Sequence, residues 1–261
     1  MTTGQRELAR SFDAWAPEYD RYRPGYPDEL FDEIAARLQL PERPVVADVG
    51  AGTGRATLAM AGRGWRVTAV EPGRPMLDIL RARATDAGVT VATVHASAEA
   101  TGLDPATVDL ATAAQAFHWF DHPRALVEMG RIARPGGGIA LFWNMRDASS
   151  SPLVAAYHDL LDAHGAVRAT RGPGRHPDTR RWLAGSGAFE KPAFFQVAHS
   201  QSMTKAAFVG LAFTASYVRA MPPETVERFR SELDELVARH SSPSGAIEVP
   251  YVVDCEIARR K

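Results

Sequence analysis

Between Val45 and Trp143 short apolar runs alternate with longer amphipathic stretches. The runs Val45–Val49, Arg66–Val70, Val89–His95, Val108–Ala113 and Gly138–Trp143 are rich in small and branched apolar residues and read as buried strands. Between them, Arg74–Ala87 and Pro123–Arg134 carry apolar residues at helical spacing. Asp121 suits the N-cap of the second helix, and Pro135-Gly136 stops it. Strand–helix alternation of this kind predicts a parallel sheet covered on both faces.

The flanks have other periods. Residues 5–40 are helical in pattern but broken at "YDRYRPGYP", where Pro24, Gly25 and Pro27 force a loop. Residues 151–187 are helical around Leu153–His164 and then loosen into "RATRGPGRHPDTRRW". Residues 192–200 read as a strand, 204–240 as two helices broken at Pro222-Pro223, and "IEVPYVVDCEIARR" as a last strand. The expected fold is α/β: a doubly wound, Rossmann-like, mostly parallel seven-stranded sheet. It has an N-terminal helical lid (residues 1–40), a core (41–150) and a C-terminal part (151–261) whose helical cap is inserted before the last strand, all as a single domain.

Composition narrows the class. The chain has 261 residues, 45% hydrophobic and 23% charged, ordinary values for a globular protein. A net charge of −1 gives no electrostatic reason to expect nucleic acid or an anionic membrane as partner. The single cysteine, Cys255, allows no intrachain disulfide, which suits a reducing cytoplasm. No apolar run reaches membrane-spanning length, and "MTTGQRELARSF" lacks the apolar core of a signal peptide.

The chemistry concentrates in "VVADVGAGTGRATLAMAGRGWRVTAVEP". A dinucleotide fingerprint requires G-x-G-x-x-G or G-x-G-x-x-A after the strand. Counted from Gly50 the sixth position is Arg55, and from Gly52 it is Thr57, so neither register fits. The pattern is instead D-x-G-x-G-x-G. An acid at Asp48 opposes a pyrophosphate at a helix N-terminus but suits an ammonium. S-adenosylmethionine carries an ammonium, a sulfonium, a ribose and an adenine, and no phosphate. Glu71, ending the second strand, can accept from both ribose hydroxyls.

These residues carry a resemblance. The chain resembles the class I S-adenosylmethionine-dependent methyltransferases, in the small-molecule branch related to trans-aconitate methyltransferases. "DVGAGTG" and "AVEP" look like the first two cofactor motifs, "HASAEATGLDPATVDLATAAQAFHWFD" like the third and fourth, and "RIARPGGGIALFWN" like the fifth strand. "FDAWAPEYDRYRPGYP" looks like the N-terminal lid. The resemblance implies that Gly50, Ala51, Gly52 and Gly54 let the methionine end approach the backbone, with Asp48 nearby. It implies Glu71 on the ribose, Met76 beside the adenine, and Ser97, Ala98 and Glu99 at the adenine edge. Ala114 and Gln115, with Ala116, line the methionine arm.

In the lid, Tyr19 and Arg23 are expected at the methionine end and Tyr26 at the acceptor pocket, the segment closing over bound cofactor. His118 has two readings, general base or pocket wall. Trp119 and Phe120 read as walls. Asn144 orients an acceptor or makes a turn. His118 and His122 are four apart, but no third metal ligand accompanies them, and no metal is expected. Arg171, Arg175, Arg180 and Arg181, with His176, form a substrate clamp or a solvated loop. Ser216 and Tyr217 in the cap reach an acceptor or only pack. Cys255 reads as buried and inert. The expected activity is methyl transfer to a small organic acceptor by a cytoplasmic monomer or homodimer. The alternative is a non-methylating enzyme of the same fold that runs a cyclisation or pericyclic step.

Overall fold

The computed structural model describes residues 23–166, 177–241 and 245–261. Helix α1 (Asp28–Leu38) leads into β1 (Val45–Val49), α2 (Arg55–Gly62), β2 (Arg66–Val70), α3 (Arg74–Asp86), β3 (Ala92–Val94) and β4 (Val108–Ala114). A short 3-10 turn (Phe117–Trp119) and α4 (His122–Ile132) precede β5 (Ala133–Arg146), α5 (Pro152–Ala163), α6 (Pro177–Gly185) and β6 (Ala193–Thr204). Helices α7 (Lys205–Phe213), α8 (Ser216–Arg219) and α9 (Pro223–His240) separate β6 from β7 (Ala246–Arg259).

The seven strands form one sheet in the order β3-β2-β1-β4-β5-β7-β6. The first five are parallel; β7 runs antiparallel between β5 and β6. The chain moves outward from β1 through β2 to β3, then returns to β4 on the other side of β1. That reversal opens a crevice at the carboxyl ends of β1 and β4, where open α/β sheets bind ligands.

Both faces of the sheet are dry. On one, α1 and α2 set Leu30, Phe31, Ile34 and Met60 against Val46, Leu110 and Phe142. On the other, α4 packs Leu126, Met129 and Ile132 on Ala111, Ile139 and Leu141. Phe31 is wholly buried, and Phe31→Ala would cost about 3–5 kcal/mol by transfer and cavity terms. A third core joins α5 and the cap helices to β7 through Tyr157, Phe208, Phe229, Leu233 and Tyr251.

The pattern of expected elements needs four corrections. The third strand is only Ala92–Val94, because Val89 and Val91 pack as partly buried residues before pairing begins. The fourth helix ends at Ile132, and Pro135-Gly136 lies within β5. Pairing jumps from Val108↔Ala133 to Leu110↔Gly138, so Arg134–Gly137 forms a bulge, with Gly136 at φ +77° and Gly137 too close to the Asp109 carbonyl for any Cβ. Helix α6 was hidden by a Pro- and Arg-rich stretch. It begins at a proline, whose fixed φ suits a first helical position, and anchors through buried Thr179 and Leu183. The cap has three helical pieces rather than two, with the break at Pro222-Pro223 where the prolines require it.

Candidate functional site

The glycine loop leaves β1 with Gly50, Gly52 and Gly54 at φ +70°, +55° and +88°. The Gly50 and Ala51 amides both donate to the Val70 carbonyl at 2.8 and 3.2 Å, binding the loop to the end of β2. The three glycines have different reasons. A Cβ on Gly50 would lie 2.7 Å from the Ala116 Cβ and 3.0 Å from Phe120, and one on Gly54 would lie 2.6 Å from Leu80. On Gly52 it would meet nothing within 4 Å. The loop is thus packed at both ends and open at its middle, a cradle in which a ligand meets bare backbone.

Glu71 stands beside that opening. Its Oε2 accepts from the Gly52 amide at 2.9 Å and its Oε1 from the Gly73 amide at 2.8 Å. Asp48 lies below. It is fully buried, taking the Thr57 hydroxyl of α2 at 2.5 Å and the Thr112 hydroxyl of β4 at 2.9 Å. Burial pushes its carboxyl up to about 6, against the pull of those hydroxyls. The expectation of Asp48 beside the cofactor's ammonium is therefore corrected: the carboxylate points inward and braces the loop from beneath.

Met76 is buried on the first turn of α3, and Ala98 is buried after β3. Ser97 is exposed and bridges to Ala100. Glu99 Oε1 accepts from the Asp121 amide at 2.9 Å, tying the third-strand loop to the start of α4. Ala114 ends β4. Gln115 follows in the left-handed region at φ +54°, its amide donating to the Phe142 carbonyl and its side chain to the Asn144 carbonyl at 2.8 Å. Backbone conformations of this kind cluster at functional sites.

His118 is exposed on the 3-10 turn, where its Nδ1 accepts from the Trp143 indole at 3.3 Å. A neutral ring accepting at Nδ1 carries its proton on Nε2, which then donates rather than abstracts. This geometry favours a pocket wall or donor over a general base. His122 stacks on Phe117, 4.7 Å between centroids. Asn144 is committed on both sides: Nδ2 donates to the Gly25 carbonyl at 2.7 Å, and Oδ1 accepts from His199 Nε2 at 2.7 Å. Because a carbonyl only accepts, the amide orientation is fixed, and His199 carries a proton on Nε2. Asn144 is a brace rather than a free acceptor-orienting amide.

Tyr19, Arg171, Arg175 and His176 lie outside the described residues. Arg23 is partly buried near Tyr157, and Tyr26 sets its ring edge-on to Phe142 at 5.0 Å. Arg180 forms a two-pronged pair with Glu256 at 3.2 and 3.0 Å, which commits its guanidinium within the protein, and Arg181 is exposed. Cys255 is wholly buried, and burial pushes its thiol up, away from nucleophilic character.

The pattern of motifs gave no weight to Arg146, Tyr157, His199 and Tyr251. Arg146 lies two residues beyond Asn144 on β5, hence on the same face, and Tyr251 pairs with Arg146 on one side and His199 on the other. The period-2 alternation through Asn144 to Arg146 was the available signal.

Comparison with known proteins agrees with this geometry. A family model described as a methyltransferase domain matches residues 47–141. An uncharacterized methyltransferase of Mycobacterium tuberculosis is 33% identical over 257 residues, covering 98% of both chains. One from Schizosaccharomyces pombe is 29% identical over 233 residues, 88% of each. The solved structure of a "Putative Type II Methyltransferase" from Anaeromyxobacter dehalogenans shares 30% identity over 91% of this chain and 98% of its own, with a TM-score of 0.70. None of these descriptions carries an acceptor, so trans-aconitate remains a likeness of motifs. Full-length identity, the shared fold and the open glycine loop make this chain a member of the class I S-adenosylmethionine-dependent methyltransferases.

Proposed function

We propose that this enzyme methylates a small organic acceptor seated between the carboxyl ends of β4 and β5 and the helical cap. The observation that supports the reading is the bare backbone of Gly52 beside Glu71, where an added Cβ would meet nothing within 4 Å and a nucleoside cofactor without a phosphate would lie. When bound, S-adenosylmethionine supplies a methyl group on a sulfonium, activated for in-line displacement.

The rest is positioning. The Gly50–Gly54 backbone would hold the methionine end, Glu71 the ribose, and Met76 and the Ser97–Glu99 loop the adenine. Gln115, held in its left-handed conformation, would line the arm between cofactor and acceptor. Phe120, packed over Gly50, and Trp119 would exclude water from the reacting centre. His118 Nε2 would donate to an acceptor or line its pocket. Such a site accelerates by orientation and desolvation, with no base required unless the acceptor must lose a proton.

The test has two parts. Calorimetry with S-adenosylhomocysteine measures the cofactor site directly. Incubation with methyl-labelled S-adenosylmethionine and a small-molecule cell extract follows the label. S-adenosylhomocysteine binding together with label in a second small molecule is the expected outcome. Binding without any labelled product would overturn the acceptor reading and favour the non-methylating alternative.

A further inference from the structure

Arg146 closes β5 beneath the cap. Its Nε is buried and finds no hydrogen-bond acceptor, and among the described residues no carboxylate lies within ion-pair distance of its guanidinium. The cation instead lies 5.1 Å from the centre of the Tyr157 ring. Three phenols surround it: Tyr157 from α5, Tyr217 from α8 and Tyr251 across the sheet. Tyr157 is wholly buried and Tyr251 nearly so; neither hydroxyl has a close hydrogen-bond partner, and the Tyr217 phenol faces both Tyr157 and the guanidinium.

Buried polar atoms are nearly always satisfied, so three orphans in one place need a reason. All three donate. A guanidinium has no acceptor, and burial keeps the Tyr157 phenol protonated, its pKa held above the usual range. Arg23, within electrostatic reach of Tyr157, adds a second positive charge. The matching ligand group is negative, rich in acceptors and planar enough for the guanidinium fork, which describes a carboxylate.

Position then bears on chemistry. β4 lies between β1 and β5, and Arg146 is four residues beyond Phe142, which is level with Ala114 at the end of β4; two strand spacings across and about 13 Å along the strand put Arg146 roughly 16 Å from the glycine loop. A carboxylate held there has its lone pairs engaged and sits away from the cofactor's methyl. We propose that Arg146, Tyr157, Tyr217 and Tyr251 form an oxyanion subsite that grips a carboxylate of the acceptor as a handle, while a different atom of the same molecule receives the methyl group. The product therefore keeps that carboxylate. The inference rests on the methyl-transfer reading above.

The experiment uses the full chain. A small-molecule cell extract is split on an anion exchanger, and the retained and unretained pools are each offered with methyl-labelled S-adenosylmethionine. Label should enter products from the retained pool alone. Those products should still bind the exchanger and survive mild alkali without releasing labelled methanol. Acceptor capacity should vanish when the pool's carboxyl groups are amidated and should survive phosphatase. Arg146→Met should raise the acceptor KM about tenfold or more, as loss of a buried charge partner does, and leave S-adenosylhomocysteine affinity by calorimetry within about twofold. Tyr251→Phe should do the same more mildly, and it serves if Arg146→Met does not fold.

An acceptor in the unretained pool, loss of capacity with phosphatase, or a product whose only carboxylate has become a methyl ester would each overturn the proposal. So would undiminished transfer by both variants. Parallel loss of S-adenosylhomocysteine binding would reassign Arg146 to the cofactor's own carboxylate. No label from either pool, with S-adenosylhomocysteine bound normally, would bring down the acceptor reading itself and this proposal with it.

Discussion

At the scale of single residues, the two acids of the cofactor motifs do different work. Glu71 was legible from its place at the end of the second strand, and it sits beside the loop it was expected to serve. Its two oxygens satisfy two backbone amides, so glutamine is not a mild replacement: the amide nitrogen would face either Gly52 or Gly73. Glu71→Gln and Glu71→Ala should both weaken S-adenosylhomocysteine binding by about 2 kcal/mol or more, measured by calorimetry. Asp48 was legible as an acid but not as a buried one, because burial depends on Thr112, which lies far along the chain on β4. Its carboxyl is raised from near 4 to about 6, so the folded protein holds that proton more tightly than the unfolded chain. Stability from this group is complete below about pH 4 and falls as pH rises to about 6, by about 3 kcal/mol in all. Asp48→Asn removes that dependence. Denaturant melts should show the variant gaining on the parent as pH rises from 4 to 7 and no further above that; a constant difference across the range would mean that Asp48 is not desolvated.

At the scale of elements, the glycine loop separates folding from binding. Gly50→Ala meets Ala116 and Phe120 and adds left-handed strain, so it should lower the melting temperature outright. Gly52→Ala meets only the strain and should cost about 1 kcal/mol in stability. Its methyl, however, would enter the proposed cofactor site, so cofactor affinity should fall further than stability does. Melting and calorimetry on the two variants give opposite rankings if Gly52 floors the site. Asn144 acts between elements as well, joining β5, β6 and the segment before α1. Asn144→Ala leaves the Gly25 carbonyl and His199 Nε2 without that partner and should destabilise by about 1–3 kcal/mol in denaturant melts. The strand end was visible in sequence; the partners, more than a hundred and more than fifty residues away, were not.

For the whole molecule, local period and glycine chemistry carried most of the architecture. The five parallel strands, the cap between β6 and β7 and the glycine loop all follow from patterns a few residues wide. The Arg146 cluster does not, since it is assembled from β5, α5, α8 and β7, and, taken alone, each member but Tyr217 reads as an ordinary packed residue. The position of β7 has one more consequence, for the order in which the protein is made. β6 has no partner in the sheet except β7, and it leaves the ribosome with the whole cap before β7 exists. Until then β6 and the apolar faces of α7 and α9 wait without their template, while β1–β5 can already associate. Nascent chains stalled just after His240 should show the first five strands resistant to protease and β6 freely cut, and translation through β7 should seal both together. The last strand to be synthesised among those described is thus the one that joins β6 and the cap helices to the rest of the sheet.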